Sequence, residues 1–181
     1  MYSMKEVTVC DGKKIHIFDN LFTLSEIEKF YEFIRSSMFL IDGGDGFISL
    51  YNDQIYSSYS DNDIINMGFY KTKGYEIINK FLNISEREKK QIRVNCSIPS
   101  EKMDVHQDGE GITLLYYANL KWELNWGGHT LFLNENLSDI EYTCAYKMGR
   151  VVVFDGTIPH LIMLANHQAI GNRLSFVIQY K

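Results

Sequence analysis

Apolar and polar positions change their rhythm once along this chain, near residue 90. Before that point, Ile27, Phe30, Tyr31 and Ile34 recur at helical spacing and predict a helix from about Leu24 to Ser36. Thr23 and Glu26 stand three apart at its start, as a capping box requires. A second helix is expected from Thr72 to Phe81 or Leu82, with Gly74 weakening its beginning. Residues 40–63 between them are rich in Gly, Asp, Ser and Tyr and lack sustained periodicity. So long a connection is expected to serve as a lid, with Tyr51, Tyr56 and Tyr59 either over a substrate or on a plain surface loop. The charged run Ser85–Gln91 reads as a solvated face. His16 alternates with Ile15 and Ile17 and is expected on an N-terminal strand.

From Gln91 onward, short β-rich runs follow one another: 91–98, 113–120, 129–133, 140–146, 150–154, 160–164 and 173–180. Gly, Asp, Asn and Pro clusters separate them. Seven or eight short strands at these intervals predict a sandwich or barrel. With helices first and strands last, the class is α+β, mainly β. Nothing in the second half reads as a crossover helix, which argues against a doubly wound sheet. The length of 181 residues predicts one domain, with 1–90 as helical support and lid and 91–181 as the β core.

Composition narrows the partners. A net charge of -5 speaks against nucleic acid, whose backbone needs a basic face. No apolar run approaches membrane-spanning length, and Met1–Val9 has no signal-peptide core, so no membrane partner is expected. The three cysteines, Cys10, Cys96 and Cys144, form no Cys-x-x-Cys pair. They read as buried free thiols in a reducing, cytoplasmic setting. A monomer or homodimer is expected.

Three places carry candidate chemistry. His106 and Asp108 are two apart, so on an extended strand they point to one side and can share a metal. A second histidine from a distant strand would complete a 2-His-1-carboxylate face with open positions. Alone, the pair reads equally well as a surface turn before Gly109. His160, between Thr157-Ile-Pro159 and Leu161-Ile-Met-Leu164, needs a partner if buried, either a metal or a backbone carbonyl. Arg173 opens a strand apolar on both faces, where a guanidinium is costly to bury without an anion. Arg173 and Ser175 lie on one side and could together grip a carboxylate. The alternatives for Arg173 are snorkelling to the rim or pairing with an internal acid. Trp122 and Trp126 are expected to pack a loop onto the barrel, His129 to be structural and His167 to be solvated.

The order His106-x-Asp108, Leu114-Leu-Tyr-Tyr-Ala-Asn119, Trp126-Gly-Gly-x-Thr130, Gly149-Arg-x-x-x-Phe154, His160 and Arg173-x-Ser175 resembles the 2-oxoglutarate/Fe(II) dioxygenases. The resemblance covers about residues 91–181 and is greatest to the prolyl 4-hydroxylase-like branch. It implies a double-stranded β-helix, a jelly roll of the cupin-like kind. It implies His106, Asp108 and His160 as iron ligands and Arg173 with Ser175 on the distal carboxylate of 2-oxoglutarate. Tyr116 matches a position whose phenol contacts that carboxylate, and Asn95 is a further co-substrate contact. Fe(II), 2-oxoglutarate and O2 are the implied cofactors, with ascorbate as a stimulant. The implied reaction is hydroxylation of a peptide or small-molecule substrate, with loss of CO2 and formation of succinate. Arg173 departs from the lysine of several prolyl 4-hydroxylases. Asp108, a carboxylate where related halogenases carry a small residue, favours hydroxylation over halogenation. The other readings are a non-catalytic barrel that binds a small acid, and a cupin-like isomerase or dioxygenase that needs no 2-oxoglutarate.

Overall fold

A computed structural model describes residues 1–37, 40–42, 54–98 and 104–181. The chain opens on a hairpin. Strands β1 (Ser3–Val9) and β2 (Lys13–Asp19) pair antiparallel around the short turn Cys10–Gly12. Only β2 has a readable alternation, burying Ile15 and Ile17; β1 is exposed along most of its length. That exposure is why the sequence pattern points to a strand around His16 but not to its partner.

Helix α1 (Leu24–Arg35) begins with the expected capping box: Glu26 N–H donates to Thr23 Oγ1, and the Thr23 N–H to the Glu26 carboxylate. Its buried face is Ile27, Phe30 and Ile34. Helix α3 (Lys73–Leu82) starts behind Thr72, whose hydroxyl caps Tyr75 N–H. Gly74 is part of that helix because nothing larger fits: a Cβ there would lie 2.5 Å from the Phe22 ring. Between them stands a short helix that the pattern does not predict, α2 (Asp61–Met67), with its own capping box from Ser60 and Asp63.

The expected lid is corrected at both flanks. Leu40–Asp42 forms β3 and Gln54–Ser58 forms β4; the two pair with each other, and β4 adds to the edge of the main sheet. Residues 43–53, with Tyr51, lie outside the described residues. Tyr59 packs edge-on to Phe33 and against Phe176, with its hydroxyl on Ser37, so it belongs to the helix layer and not to a lid.

All seven strands expected after residue 90 are present: β5 (Lys89–Ser97), β6 (Ile112–Tyr117), β7 (Thr130–Leu133), β8 (Ile140–Cys144), β9 (Val151–Asp155), β10 (His160–Ile162) and β11 (Arg173–Tyr180). They form two antiparallel sheets, one ordered β1-β2-β9-β6-β11-β5-β4-β3 and one ordered β10-β7-β8. The first half of the chain thus contributes four strands, and helices-first segregation is corrected accordingly.

Alternation sorts the side chains into two cores. Leu114, Tyr116, Val153, Phe176 and Ile178 meet Phe22, Phe30 and Phe69 beneath the helices. Leu115, Tyr117, Val152, Phe154 and Val177 meet Phe132 and Ile158 between the sheets. Each fully buried phenylalanine contributes roughly 1.5–3 kcal/mol, so the helix layer holds the large sheet firmly and fixes what its other face presents. The result is a double-stranded β-helix backed by helices. No helix among the described residues is long and apolar enough to cross a membrane.

Candidate functional site

The space between the sheets contains the expected triad. His106 and His160 form an antiparallel bridge: His106 N–H donates to His160 C=O at 3.0 Å, and His160 N–H to His106 C=O at 2.9 Å. Two residues on, Asp108 N–H donates to Gly156 C=O at 2.8 Å. Gly156 permits this approach, since a Cβ on it would stand 2.5 Å from Gly109 O and 3.3 Å from Asp108 Cβ. Gln107 points away, and its amide donates to Thr157 C=O. The i, i+2 rule therefore holds, and His106 and Asp108 share one side.

Both imidazoles are oriented in the same way. His106 Nδ1 lies 3.1 Å from Asp104 C=O, and His160 Nδ1 lies 2.9 Å from Ile158 C=O. A carbonyl can only accept, so each Nδ1 carries the proton and each Nε2 presents a lone pair. His106 Nε2 lies 3.9 Å from Asp108 Oδ1 and His160 Nε2 3.7 Å from Oδ2. One donor atom from each of the three residues falls within 4.8 Å of the others. Burial pushes His160 below the usual imidazole range, although Asp108 pulls it the other way. A neutral imidazole is the form that ligates. Thr113 Oγ1 donates to Asp108 Oδ2 at 2.5 Å and holds the carboxylate in place. This donor set, two nitrogens and one carboxylate on a single face, suits a divalent transition metal with open positions.

Arg173 lies deeper. It is fully buried, and its Nε donates to Gly128 C=O at 2.8 Å and its Nη1 to Ser175 Oγ at 3.1 Å. The guanidinium stacks on the Tyr117 and Tyr146 rings at 5.4 and 5.0 Å. Nη2 has no partner, and no carboxylate pairs with the group among the described residues. Burial lowers its proton affinity, but an arginine stays charged in proteins. A buried cation with a spare donor and no counter-ion is what an anion site requires. Ser175, which binds it, and Thr130, which binds the Tyr117 hydroxyl, belong to the wall of a cavity of about 130 Å³ that also exposes the triad. Gly128 has φ +70°, and a Cβ there would press on Trp122 and on Arg173 Cδ, which explains the glycine before His129.

Asn95 and Tyr116 are placed on opposite faces of the sheet. Asn95 faces Ser175 across the β5–β11 pair, lines the cavity, and has a buried Oδ1 with no partner. Tyr116 points to the opposite side, packed on Phe22, Phe30 and Phe69. Its neighbour Tyr117 faces inward, lies under Arg173 and donates to Thr130 Oγ1 at 2.8 Å. Tyr116 therefore does not face the space between the sheets, and the tyrosine that points inward is Tyr117, one residue on and on the other face.

Several contributors carry little or no signal in the sequence reading. Thr113 is one; Asn119 is another, which binds Leu174 N–H, Asn172 C=O and Tyr146 and so fixes the start of the Arg173 strand. Arg93 lines the cavity beside Asn95. The signal for it was present: Arg93, Asn95 and Ser97 alternate with Ile92, Val94 and Cys96, a polar inner face on an otherwise buried strand. Trp122 donates to Gly127 C=O and packs on Trp126 and Tyr146, the packing role expected. His129 accepts from Tyr146 N–H and His167 is exposed, also as expected. Cys10, Cys96 and Cys144 are buried, as expected.

No protein-family model and no curated protein matches the sequence. Solved structures do match. A viral collagen prolyl hydroxylase from Paramecium bursaria Chlorella virus-1, in its 2OG complex, superposes with a TM-score of 0.63 at 18% identity, over 95% of this chain and 98% of that one. A Trichoplax adhaerens prolyl hydroxylase, in complex with a hypoxia inducible factor peptide fragment, gives 0.64 at 16% identity, over 92% and 82%. The non-heme alpha ketoglutarate dependent epimerase SnoN from nogalamycin biosynthesis gives 0.68 at 11% identity, over 92% and 77%. The fold of this chain is the fold of these oxygenases.

Proposed function

We propose that this protein is an Fe(II)- and 2-oxoglutarate-dependent oxygenase that hydroxylates a substrate C–H bond. The observation that carries the reading is the triad. Two imidazoles, each tied through Nδ1 to a carbonyl, converge with one carboxylate at the wall of a small cavity backed by an unpaired arginine. A cupin-like site with no 2-oxoglutarate leaves Arg173 unexplained, and so does a non-catalytic barrel.

Iron held by His106, Asp108 and His160 would, with bound 2-oxoglutarate and O2, supply the oxidising equivalents, releasing succinate and CO2. The protein's own share is orientation. The carbonyls of Asp104 and Ile158 fix both imidazole tautomers before any metal arrives, and Thr113 fixes the carboxylate. The spare Nη2 of Arg173, with the hydroxyls of Ser175 and Thr130, receives the far carboxylate of 2-oxoglutarate. The co-substrate is then held at both ends, which removes its rotational freedom before reaction. Asn95 adds a polar contact in the same cavity. Phe154 and Phe132, packed against the His160 ring, keep water from that side.

The prolyl hydroxylase likeness favours a peptidyl substrate, and we read residues 1–181 as one catalytic unit. The same chemistry on a small metabolite is the second reading, favoured by the modest size of the cavity. His106→Ala and His160→Ala test the assignment. Each should lose bound iron, measured by metal analysis after dialysis, together with 2-oxoglutarate turnover, measured as succinate. Full iron content in either variant would remove that residue from the ligand set.

A further inference from the structure

We infer that Arg93 recognises an oxyanion on the substrate, so that this oxygenase acts on a molecule carrying a carboxylate close to the reacting carbon. The inference rests on the oxygenase reading above. Outside the triad, Arg93 is the one charged side chain among the described residues that wall the cavity. Its guanidinium stacks on the Tyr56 ring at 4.9 Å, and its Nε is buried without a hydrogen-bond partner. Stacking fixes the plane of the fork and leaves Nε without a partner among the described residues, an arrangement suited to a planar anion.

Register separates this group from the co-substrate end. On β5, Ser97 pairs with Arg173, Asn95 with Ser175 and Arg93 with Val177. Arg93 is thus four residues along the sheet from the Arg173 row, roughly 13 Å at about 3.3 Å per residue. One small carboxylate cannot rest on both arginines. On β6, Leu115 pairs with Val177 and Thr113 with Gln179, so Arg93 lies at the level next to the Thr113 that holds Asp108. The chain carries a net -5, yet the wall beside the candidate metal ligands bears a cation whose Nε has no hydrogen-bond partner among the described residues. Lys90, at the rim of the same strand, adds a second positive charge and donates to Asp108 C=O at 2.9 Å. An incoming substrate carboxylate would find Arg93 after 2-oxoglutarate has taken Arg173.

The test uses matched acid and amide probes. One arm compares N-acetyl-L-amino acids with their carboxamides, in which the anion is a free α-carboxylate. The other compares acetylated, amidated Asp-Pro and Glu-Pro peptides with their Asn-Pro and Gln-Pro counterparts, in which it is a side chain. Succinate formation above the substrate-free rate is read for wild type, Arg93→Met and Arg93→Lys. The expected result is a preference for acid over amide of tenfold or more in one arm, abolished in Arg93→Met and partly restored in Arg93→Lys. Which arm responds identifies the source of the carboxylate. A purely structural arginine would change overall rates without changing that ratio, so an unaltered ratio in Arg93→Met overturns the inference. So does an absence of acid preference in both arms of the wild type. A rise in the 2-oxoglutarate requirement of Arg93→Met as large as that of an Arg173 variant would move Arg93 to the co-substrate and also overturn it. Failure of the wild type to consume 2-oxoglutarate at all would instead count against the oxygenase reading.

Discussion

Replacing Arg173 by methionine removes a fully buried cation and leaves a side chain of similar length. The bond to Gly128 C=O and the stacks on Tyr117 and Tyr146 are lost. The unpaired Nη2, a buried donor that costs roughly 1–3 kcal/mol, goes with them. These effects oppose each other, so the ligand-free protein should change stability by no more than about 2 kcal/mol. The ligand-bound comparison is different. In wild type with Mn(II) as a non-turnover metal, 2-oxoglutarate at a hundred times its Kd stabilises by about 2.7 kcal/mol. For a chain of this size that is a rise in Tm of roughly 5–11 °C. Losing even one charge-assisted bond, worth about 1.5–3 kcal/mol, weakens binding ten- to a hundredfold. At the same ligand concentration Arg173→Met should then keep about half of that rise or less, a shift of roughly 1–6 °C depending on whether binding weakens a hundredfold or tenfold. Thermal melts with Mn(II), with and without 2-oxoglutarate, measure both differences. A variant that keeps the full ligand-induced rise would refute the claim that this guanidinium waits for a carboxylate.

Other parts of the structure give equally direct expectations. Thr113→Val should keep the fold and weaken metal binding about 10- to 100-fold, read by competition with a chelator, because Asp108 Oδ2 loses its donor. Gly74→Ala should lower stability by roughly 1–3 kcal/mol in a urea melt, since the added methyl meets the Phe22 ring. Asp19 ties the N-terminal hairpin to Arg150 through two 2.8 Å bonds. Burial pushes its carboxyl up, but the bonds and charge of Arg150, with help from Lys147, outweigh this and hold it below its ordinary value. The folded state therefore binds that proton less readily than the unfolded chain, and the stabilisation is fully present above about pH 5. It is lost as pH falls through the lowered folded value. Asp19→Asn should be less stable than wild type at pH 7, and the gap should close in acid melts.

The second half of the chain was legible because its chemistry interrupts apolar strands. His160 and Arg173 each stand where a polar group needs a partner: His160 Nδ1 finds Ile158 C=O, and Arg173 finds Gly128 C=O and Ser175 with Nη2 left over. The His106-x-Asp108 pair was legible as a spacing, while its convergence with His160 depends on the backbone bridge between the two histidines, which no local pattern announces. Tyr116 shows where such reading stops. Leu114-Leu-Tyr-Tyr117 is apolar on both faces, so the run hides its own phase, and a one-residue error reverses the face. Thr113, inward and bound to Asp108, sets that phase as Leu115 and Tyr117 inward. The strands β1, β3 and β4 were missed for other reasons. β1 is exposed along most of its length and carries no alternation, while β3 and β4, with three and five residues, are too short for one to stand out. Helix α2 was missed because two turns of Asp-Asn-Asp-Ile-Ile-Asn-Met are too short for a helical period to stand out.

The claim on which the account turns is that His106, Asp108 and His160 hold iron beside 2-oxoglutarate. An anaerobic absorbance titration of metal-free protein with Fe(II) and then 2-oxoglutarate tests it directly, alongside Asp108→Ala. The account predicts a weak visible charge-transfer band that needs both additions in wild type and is missing from the variant. Folded wild-type protein that shows no band, or a variant that shows the same one, would contradict it.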